Sequence, residues 1–375
     1  MAKEIGPSKG RTAMITRGTG NLLLADVDAL VNTVNTVGVM GKGIALQFKR
    51  AYPENFKDYK ASCERGDATA GRMHVHEVGQ MAGPRFIINF PTKRHWRAPS
   101  RIEDIASGLV ALRDEIVERG IGSIAVPPLG CGNGGLSWRE VEPMIRQALG
   151  TIPGVEVRVW EPSGAPSAAS VPNATEAPPM NRERAAFLAA LNRYIHSGIS
   201  RGLAFEPRVS LLEAHKVAYF LQKLQLPLGL RFEKGIYGPY SHPLDRAVSA
   251  MEGHFTAGYG DGTSGAQAVL EIDKDSVGEA ERLLEQYPEF EGIAEKFHML
   301  TAGFEDAFGM ELLSTVLFAA EELVTPPPNP DAVAACISGW NERKQRLFTR
   351  AHVRTAWQRL SEVGLLPSHE PGSPA

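Results

Sequence analysis

Two glycine-rich stretches, each directly after a predicted buried strand, carry the features best suited to chemistry. The first ends the run Val31–Gly43, with glycines at 38, 41 and 43, and the second runs from Pro127 to Gly135. A strand, a glycine turn and a helix together present backbone N–H groups and the positive end of a helix dipole to phosphate. One such loop is often only a tight turn. The pair predicts a site that holds one diphosphate from both sides.

Polar side chains accompany the first stretch. Asn32 and Asn35 lie at the end of its strand, where their amides either bind a ribose or cap the turn. Lys42 is either a phosphate ligand or a surface lysine. The first loop lacks the spacing G-x-x-x-x-G-K-[ST], which excludes a nucleoside triphosphatase loop at this position.

A basic segment, Lys93-Arg94-His95-Trp96-Arg97, follows another predicted strand. Basic groups around one indole suit single-stranded DNA, because phosphates are neutralised while bases stack on the ring. The alternative is an exposed basic loop before a helix. His95 is either a proton carrier or a structural histidine.

The elements that must position these residues alternate between strands and helices over about 150 residues, which predicts a three-layer α/β/α domain with a mixed sheet. Ligands in such folds bind at the carboxyl ends of the strands, where both glycine loops lie. A capping box of Ser100 and Glu103 predicts a helix from Ser100 to Arg119. The other predicted elements used below are a strand, turn and strand over 14–24, strands over 29–34, 85–90 and 123–126, and one helix over 344–363.

Composition divides the chain. Residues 163–180 are rich in Pro, Ala and Ser with almost no charge, which is typical of a linker. We expect a disordered lead-in over 1–11, the α/β domain over 12–162, a second, α-rich domain over 181–366 and a disordered tail over 367–375. The element order of the second domain is weakly winged-helix-like.

Charge and cysteine content limit the partners. The formal net charge is −3, but 14 carboxylates lie between Glu271 and Glu322 against three basic residues. These carboxylates form either solvated helix faces or a surface for a basic partner. Three scattered cysteines predict neither a disulfide framework nor a zinc site. Without a signal peptide or an apolar run of about 20 residues, we expect a cytoplasmic protein with no membrane or metal partner.

The order of four motifs resembles the macrodomain, an ADP-ribose-binding module. These are Gly20-Asn-Leu-Leu23, Val31-Asn32-Thr-Val-Asn35, Gly41-Lys-Gly43 and Pro127-Pro-Leu-Gly130-Cys131-Gly132. The helix start from Gly41 to Lys49 and the strand end Thr92-Lys93-Arg94 resemble the terminal ADP-ribose–protein glycohydrolase subgroup. The two-domain layout resembles the DarG antitoxins, whose partner, the DarT toxin, modifies thymine bases of single-stranded DNA with ADP-ribose.

This resemblance implies an enzyme that removes ADP-ribose from the modified thymine and binds a DarT-type toxin through its second domain. Lys93 and Asn35 are implied as catalytic, with Asn35 at the distal ribose and no cofactor. DNA contacts are expected from Arg94, His95, Trp96 and Arg97. The ADP-ribose ligands are expected to be Asn21, Leu22, Asn32, Asn35, Gly38, Met40, Gly41, Lys42, Gly43, Pro128, Leu129, Gly130, Cys131, Gly132, Asn133 and Gly134.

Two departures from the family pattern keep alternatives open. Asn21 stands where many macrodomains have an aspartate for the adenine amine, and no carboxylate lies near Gly134, where the human glycohydrolase has an acidic partner for its lysine. Lys93 either forms a Schiff base at C1'' or stays protonated and stabilises the departing thymine. A non-catalytic ADP-ribose reader and a hydrolase of ADP-ribosylated protein carboxylates are the alternative functions.

Overall fold

The computed structural model describes residues 13–79, 83–163, 170–263, 265–323 and 328–366. The chain forms two compact units: the first reaches to Glu176 and includes Gly260–Thr263, and the second holds the rest. Residues 170–176, predicted as part of the linker, belong to the first unit. The predicted lead-in and tail lie outside the described residues.

The first unit is built on a six-stranded sheet in the order β1-β6-β5-β2-β4-β3. Only β3 is antiparallel to its neighbour; the other pairs are parallel, which makes the sheet mixed as predicted. The strands are β1 Met14–Arg17, β2 Ala29–Asn35, β3 His74–Glu77, β4 Phe86–Lys93, β5 Ser123–Val126 and β6 Glu156–Val159.

The described residues of the first unit also form the α-helices α1 Gly43–Ala51, α2 Pro53–Glu64, α3 Ile102–Glu118 and α4 Trp138–Leu149. Successive side chains of a strand point to opposite faces, which explains how one apolar run serves both layers. Ala29 and Val31 pack in the cluster that contains the apolar faces of α3 and α4. Leu30 packs with Phe48 of α1 on the other face. The three-layer prediction is confirmed.

Two local predictions in the first unit are wrong. Residues Leu22–Leu24 form a 3-10 turn capped by the Asn21 side chain instead of a second strand. The first turn of α3 follows Arg101, which makes no side-chain cap, and the Ser100 hydroxyl is buried without a partner. With Arg101 at the N-cap, the predicted Ser100–Glu103 box is one residue out of register, and the Ser100 backbone N–H donates to the Gly134 carbonyl at 2.9 Å.

Strand β4 extends three residues beyond its predicted end, through Pro91 to Lys93. Proline donates no hydrogen bond to a sheet, and it is tolerated where pairing is irregular. The ladder with β2 shifts register between Val34 and Asn35, directly after the Val34–Pro91 pair, and Asn35 then pairs with Lys93. This bulge carries Lys93 to the carboxyl edge of the sheet.

The second unit is rich in helices, as predicted. Its short strands form an antiparallel sheet, β10-β11-β7, and a hairpin, β8-β9. The strands are β7 Arg208–Ser210, β8 Glu233–Gly235, β9 Gly238–Tyr240, β10 Thr256–Ala257 and β11 Val269–Ile272. The helices are α5 Arg182–Ser200, α6 Leu211–Lys223, α7 His242–Met251, α8 Lys274–Leu284, α9 Glu289–Thr301, α10 Ala307–Glu322, α11 Pro330–Ser338, α12 Glu342–Leu347 and α13 Arg350–Glu362.

The single helix predicted over 344–363 is two helices. Phe348 is extended, and the Thr349 side chain accepts from the His352 N–H at 3.2 Å to start α13. A threonine cap inside an otherwise helical pattern gives the chain an alternative to continuing the helix. Among the described residues, no helix has the length and apolarity needed to span a membrane.

Candidate ADP-ribose site

Three segments with the predicted site residues meet at one edge of the first unit's sheet. Strands β5, β2 and β4 are parallel neighbours, so their carboxyl ends lie side by side. Residues 36–42, here loop 1, follow β2, and residues 127–135, here loop 2, follow β5. Lys93 ends β4, the neighbour of β2 on the side away from β5. The tertiary fold therefore assembles what the sequence separates by up to about 100 residues.

Asn35 organises loop 1. Its Nδ2 donates to the Val39 carbonyl at 2.6 Å, and its Oδ1 accepts from the N–H groups of Val37 and Val39 at 3.3 and 3.2 Å. These contacts match the turn-capping alternative, because the side-chain amide of Asn35 is hydrogen-bonded to backbone groups of its own loop. Contact between Asn35 and a ribose stays a prediction.

Loop 1 is supported from beneath by α2. Gly38 has φ +74°, and a Cβ there would lie 3.3 Å from Cβ of Cys63. The Tyr59 hydroxyl donates to the Asn35 carbonyl at 3.2 Å. Met40 is buried, whereas Gly41 and Lys42 are exposed where α1 begins. Only part of the predicted loop 1 set therefore faces solvent.

Asn32 lies in the core, fully buried. Its Nδ2 donates to Oδ1 of Asn89 on β4 at 2.9 Å, and Asn89 Nδ2 donates to Asn55 Oδ1 on α2 at 2.7 Å. These three buried amides join β2, β4 and α2 below loop 1. The Asn32 Oδ1 has no hydrogen-bond partner, and its predicted ribose contact remains untested.

Loop 2 folds back on itself. The Cys131 N–H donates to the Pro128 carbonyl, and the Leu136 N–H donates to the Gly130 carbonyl, each at 3.1 Å. Leu129 is buried in the α3–α4 core, and burial raises the pKa of the Cys131 thiol to about 11. Cys131 is therefore a protonated packing residue at neutral pH.

Gly134 has no room for a side chain. A Cβ there would lie 2.2 Å from the Gly130 carbonyl oxygen and 2.3 Å from the Ser100 hydroxyl. Gly132, two residues earlier, has open space at the same position. The packing of this loop therefore excludes a carboxylate side chain at position 134 itself.

Lys93 joins the two loops. Its Nζ donates to the backbone carbonyl of Asn133 in loop 2, and its own carbonyl accepts from the N–H of Thr36 in loop 1 at 3.0 Å. Partial burial lowers the pKa of Lys93. The loops also approach each other, since a Cβ on Gly43 would lie 3.0 Å from Asn133 Nδ2. Lys93 therefore contacts both glycine loops, loop 2 through its amine and loop 1 through its backbone.

The Asn21 amide is occupied at both ends. Its Oδ1 accepts from Leu23 N–H at 3.0 Å, and its Nδ2 donates to the Ser170 carbonyl at 2.7 Å. A carbonyl oxygen has two lone pairs, so Oδ1 keeps the capacity for one more donor. Leu22 beside it is buried against Trp160, and direct contact of either residue with adenine stays a prediction.

The basic segment after Lys93 forms an aromatic platform. The His95 ring stacks on Trp96 with centroids 5.5 Å apart, and the Arg97 guanidinium lies 4.5 Å from the indole centroid. Trp96 remains 45% exposed, so part of its indole is accessible to solvent. His95 Nδ1 accepts from the Arg97 N–H at 3.2 Å.

Sequence reasoning missed three residues that shape this site: Asn89, Thr36 and Asp104. Asn89 lies in the middle of an apolar strand. A lone amide at a core position of such a strand is the sequence signal that could have identified it. Asp104 lies in the first turn of α3, where an acidic residue is expected for the helix dipole alone. The partners of Asn89 and Thr36 lie 57 and 58 residues away in the sequence, and that of Asp104 lies 10 residues away.

The first unit is a macrodomain: a family model described as Macro domain matches residues 31–145. A DNA ADP-ribosyl glycohydrolase of Thermus aquaticus is 43% identical over 94% of this chain and 94% of its own length. By this extent of similarity, the chain belongs to the DNA ADP-ribosyl glycohydrolase family.

Two further relatives match only part of the chain. A DNA ADP-ribosyl transferase-DNA ADP-ribosyl glycohydrolase fusion protein of Thermosipho africanus is 31% identical over 38% of this chain and 40% of its own length. The solved macrodomain of Mycobacterium tuberculosis DarG is 57% identical, covers 40% of this chain and 99% of its own, and superposes with a TM-score of 0.40.

Proposed function

We propose that this chain is a cytoplasmic antitoxin enzyme that removes ADP-ribose from thymine bases of single-stranded DNA. The observation that carries the proposal is the position of Lys93. Its amine is hydrogen-bonded to loop 2, and its backbone carbonyl is hydrogen-bonded to loop 1. Membership of the glycohydrolase family supports the same reaction.

In this proposal the two loops bind the diphosphate through backbone N–H groups, as glycine-rich turns do. The distal ribose then lies over the junction, with C1'' toward Lys93. The adjacent platform takes the DNA: Trp96 stacks on a base, and Arg97 neutralises a phosphate. The 45% exposure of Trp96 supports this assignment.

Two routes are open to the Lys93 amine. As a neutral nucleophile, Nζ attacks C1'' while the C1''–N bond breaks, its electron pair going to thymine, which takes up the proton that the amine releases. The bond from C1'' to the ring oxygen then breaks to open the sugar and form an imine with Nζ, and water hydrolyses the imine to free ADP-ribose and the lysine amine. As a cation, Nζ stabilises the departing thymine anion while water attacks. The lowered pKa of Lys93 enlarges the neutral fraction and supports the first route. Borohydride reduction during turnover distinguishes them, because only the imine is trapped as a stable adduct.

The second unit is proposed to bind a DNA ADP-ribosyltransferase toxin of the DarT type. Exposed carboxylates of α8 and α9, including Asp275, Glu279, Glu281 and Glu295, give it an acidic face. A protein that itself binds DNA has a basic surface, to which such a face is complementary. The fusion of a transferase to a glycohydrolase in the Thermosipho africanus relative supports this pairing.

Incubation with an oligonucleotide ADP-ribosylated on thymine tests the enzyme proposal. We expect the parent chain to release free ADP-ribose and Lys93→Ala to lose at least about a hundredfold in rate. Lys57→Ala, which removes an exposed lysine paired with Glu54 on α2, is the matched control and should retain the parent rate.

Three outcomes would contradict the proposal in different ways. Binding of ADP-ribose without release would identify a non-catalytic reader. Faster release from an ADP-ribosylated protein carboxylate than from DNA at equal concentration would identify the other hydrolase. Undiminished release by Lys93→Ala would remove Lys93 from the reaction.

A further inference from the structure

Arg94, the residue after Lys93, is held by a buried carboxylate. Its Nη2 donates to Oδ1 of Asp104 at 3.0 Å, and its Nε donates to Oδ2 at 3.3 Å. The Asp104 side chain is 7% exposed, whereas that of Arg94 is 61% exposed. Two parallel N–H···O bonds fix the orientation of a guanidinium as well as its position. The chain directly after β4 is therefore anchored to α3.

The backbone at the same point is tied to loop 1. The Thr36 hydroxyl donates to the Arg94 carbonyl at 2.6 Å, and the Thr36 N–H donates to the Lys93 carbonyl at 3.0 Å. Arg94 is thus bonded through its side chain to α3 and through its carbonyl to the first residue of loop 1. Movement of Arg94 would move the strand end that carries Lys93.

The start of α3 also reaches loop 2. The Ser100 N–H, four residues before Asp104, donates to the Gly134 carbonyl at 2.9 Å. Lys93 Nζ donates to the carbonyl of Asn133, the residue before Gly134. The segment from Ser100 to Asp104 therefore contacts the surroundings of Lys93 at two points. Ser100 binds loop 2 next to Asn133, and Asp104 binds the Arg94 guanidinium.

We propose that Asp104 is a positioning residue which, through Arg94, sets the location of the Lys93 amine between the two loops. The inference rests on the proposed function, since it takes Lys93 as the catalytic amine. Arg94 then acts within the protein, where it links Asp104 to the end of β4. Trp96 and Arg97 are the residues of this segment that contact DNA.

A double-mutant cycle tests this with Asp104→Asn, Arg94→Gln and the pair combined. Displacement of a reacting group by about 1 Å costs up to about a hundredfold in rate. We expect each single variant to lower kcat about tenfold, with KM and ADP-ribose affinity changed less than about threefold. Because both residues act through one contact, the combined variant should also lose about tenfold instead of a hundredfold.

An exposed ion pair on the same helix provides the control. Arg113 and Asp114 of α3 are paired at 3.1 Å, with about half of each side chain exposed. Arg113→Gln with Asp114→Asn should leave kcat at the parent value. Arg94→Lys, which keeps the charge but loses the two-point geometry, gives a second test if Asp104→Asn fails to fold. It should lower kcat severalfold while the melting temperature stays near that of the parent.

The salt dependence of DNA affinity distinguishes an arginine that bonds within the protein from one that contacts DNA. For single-stranded DNA, each neutralised phosphate contributes about 0.7 to the slope of log affinity against log salt. Arg97→Gln should flatten the slope by about this amount, and Arg94→Gln should keep the parent slope.

Three results would overturn the inference: additive kcat losses in the cycle, a lower melting temperature with unchanged kcat, or an Arg94→Gln slope as flat as that of Arg97→Gln. If the parent enzyme releases ADP-ribose, any of these three results overturns only the positioning role of Asp104 and leaves the proposed function intact. A parent chain that releases none overturns both.

Discussion

Single side chains in the first unit show why residue type and residue role differ. Asn32, Asn35 and Asn21 offer donors and acceptors that suit a ribose or an adenine, yet each amide is already hydrogen-bonded within the protein. Their bonds shape loop 1 and the turn after β1. Residues that build a binding loop and residues that touch its ligand are both polar, and composition cannot separate them.

Glycine 134 supports a sharp prediction at this scale. Gly134→Ala would place a methyl group 2.2 Å from the Gly130 carbonyl, so loop 2 must shift. We expect a loss of stability of about 1–3 kcal/mol, the usual range for overpacking, together with weaker ADP-ribose binding. Urea unfolding and calorimetry measure the two effects. Gly132→Ala has open space for its methyl group and should keep the parent stability; equal destabilisation by both variants would contradict the steric argument.

Elements are held by buried polar groups in the second unit as well. The β8–β9 hairpin rests on Lys216 of α6, whose Nζ donates to the Pro239 carbonyl at 2.7 Å. Lys344 of α12 is fully buried nearby and donates to Glu311 and Thr315 of α10 at 2.7 and 3.0 Å. Burial, reinforced by the charge of Lys344, lowers the pKa of Lys216 from 10.5 to about 7. Burial of the charged form of Lys216 destabilises the folded state, and the size of this effect depends on pH.

The sign of that dependence follows from proton binding. Below pH 7 Lys216 is protonated in both folded and unfolded chains, and between pH 7 and 10.5 only the unfolded chain holds the proton. Raising the pH across this window therefore stabilises the folded state, by up to about 1.4 kcal/mol per pH unit. The stability difference between the parent and Lys216→Met should rise with this slope in urea unfolding at pH 7, 8 and 9.

A matched substitution checks the assignment to Lys216. Lys296→Met removes an exposed lysine of α9 and should follow the parent at every pH. A pH-independent difference between the parent and Lys216→Met would show that Lys216 keeps its charge in the folded protein.

For the whole molecule, two compact units imply two separable means of protection from a toxin. If the first unit erases the DNA mark and the second binds the toxin, loss of one leaves the other. We expect full-length Lys93→Ala to restore growth only in part when co-expressed with the toxin, with modified DNA accumulating. Growth assays and detection of ADP-ribosylated DNA measure this, with Lys57→Ala as the control. Full protection by Lys93→Ala would leave sequestration as sufficient, and no protection would remove the second unit from the proposal.

Much of the fold was predictable because it depends on short-range patterns. The β-branched run of β2, the glycine turns and the apolar spacing of α3 and α4 are local, and they are found as expected. The failures are also informative. Arg101 and not Ser100 precedes the first turn of α3, and the Ser100 N–H donates to Gly134 of loop 2, a distant part of the chain. The helix predicted over 344–363 broke at Thr349, whose side chain caps α13.

The sequence by itself determined the fold class of the first unit and the edge of the sheet to which both glycine loops belong, where we propose the ligand site. Parallel strands followed by glycine loops dictate these features through local geometry. The tertiary structure alone decided which polar groups are engaged and with what. Asn89 for Asn32, Asp104 for Arg94 and Asn133 for Lys93 are partners from separate elements. Hydrogen bonds between such elements form only when packing brings them together, and no short-range pattern encodes that placement.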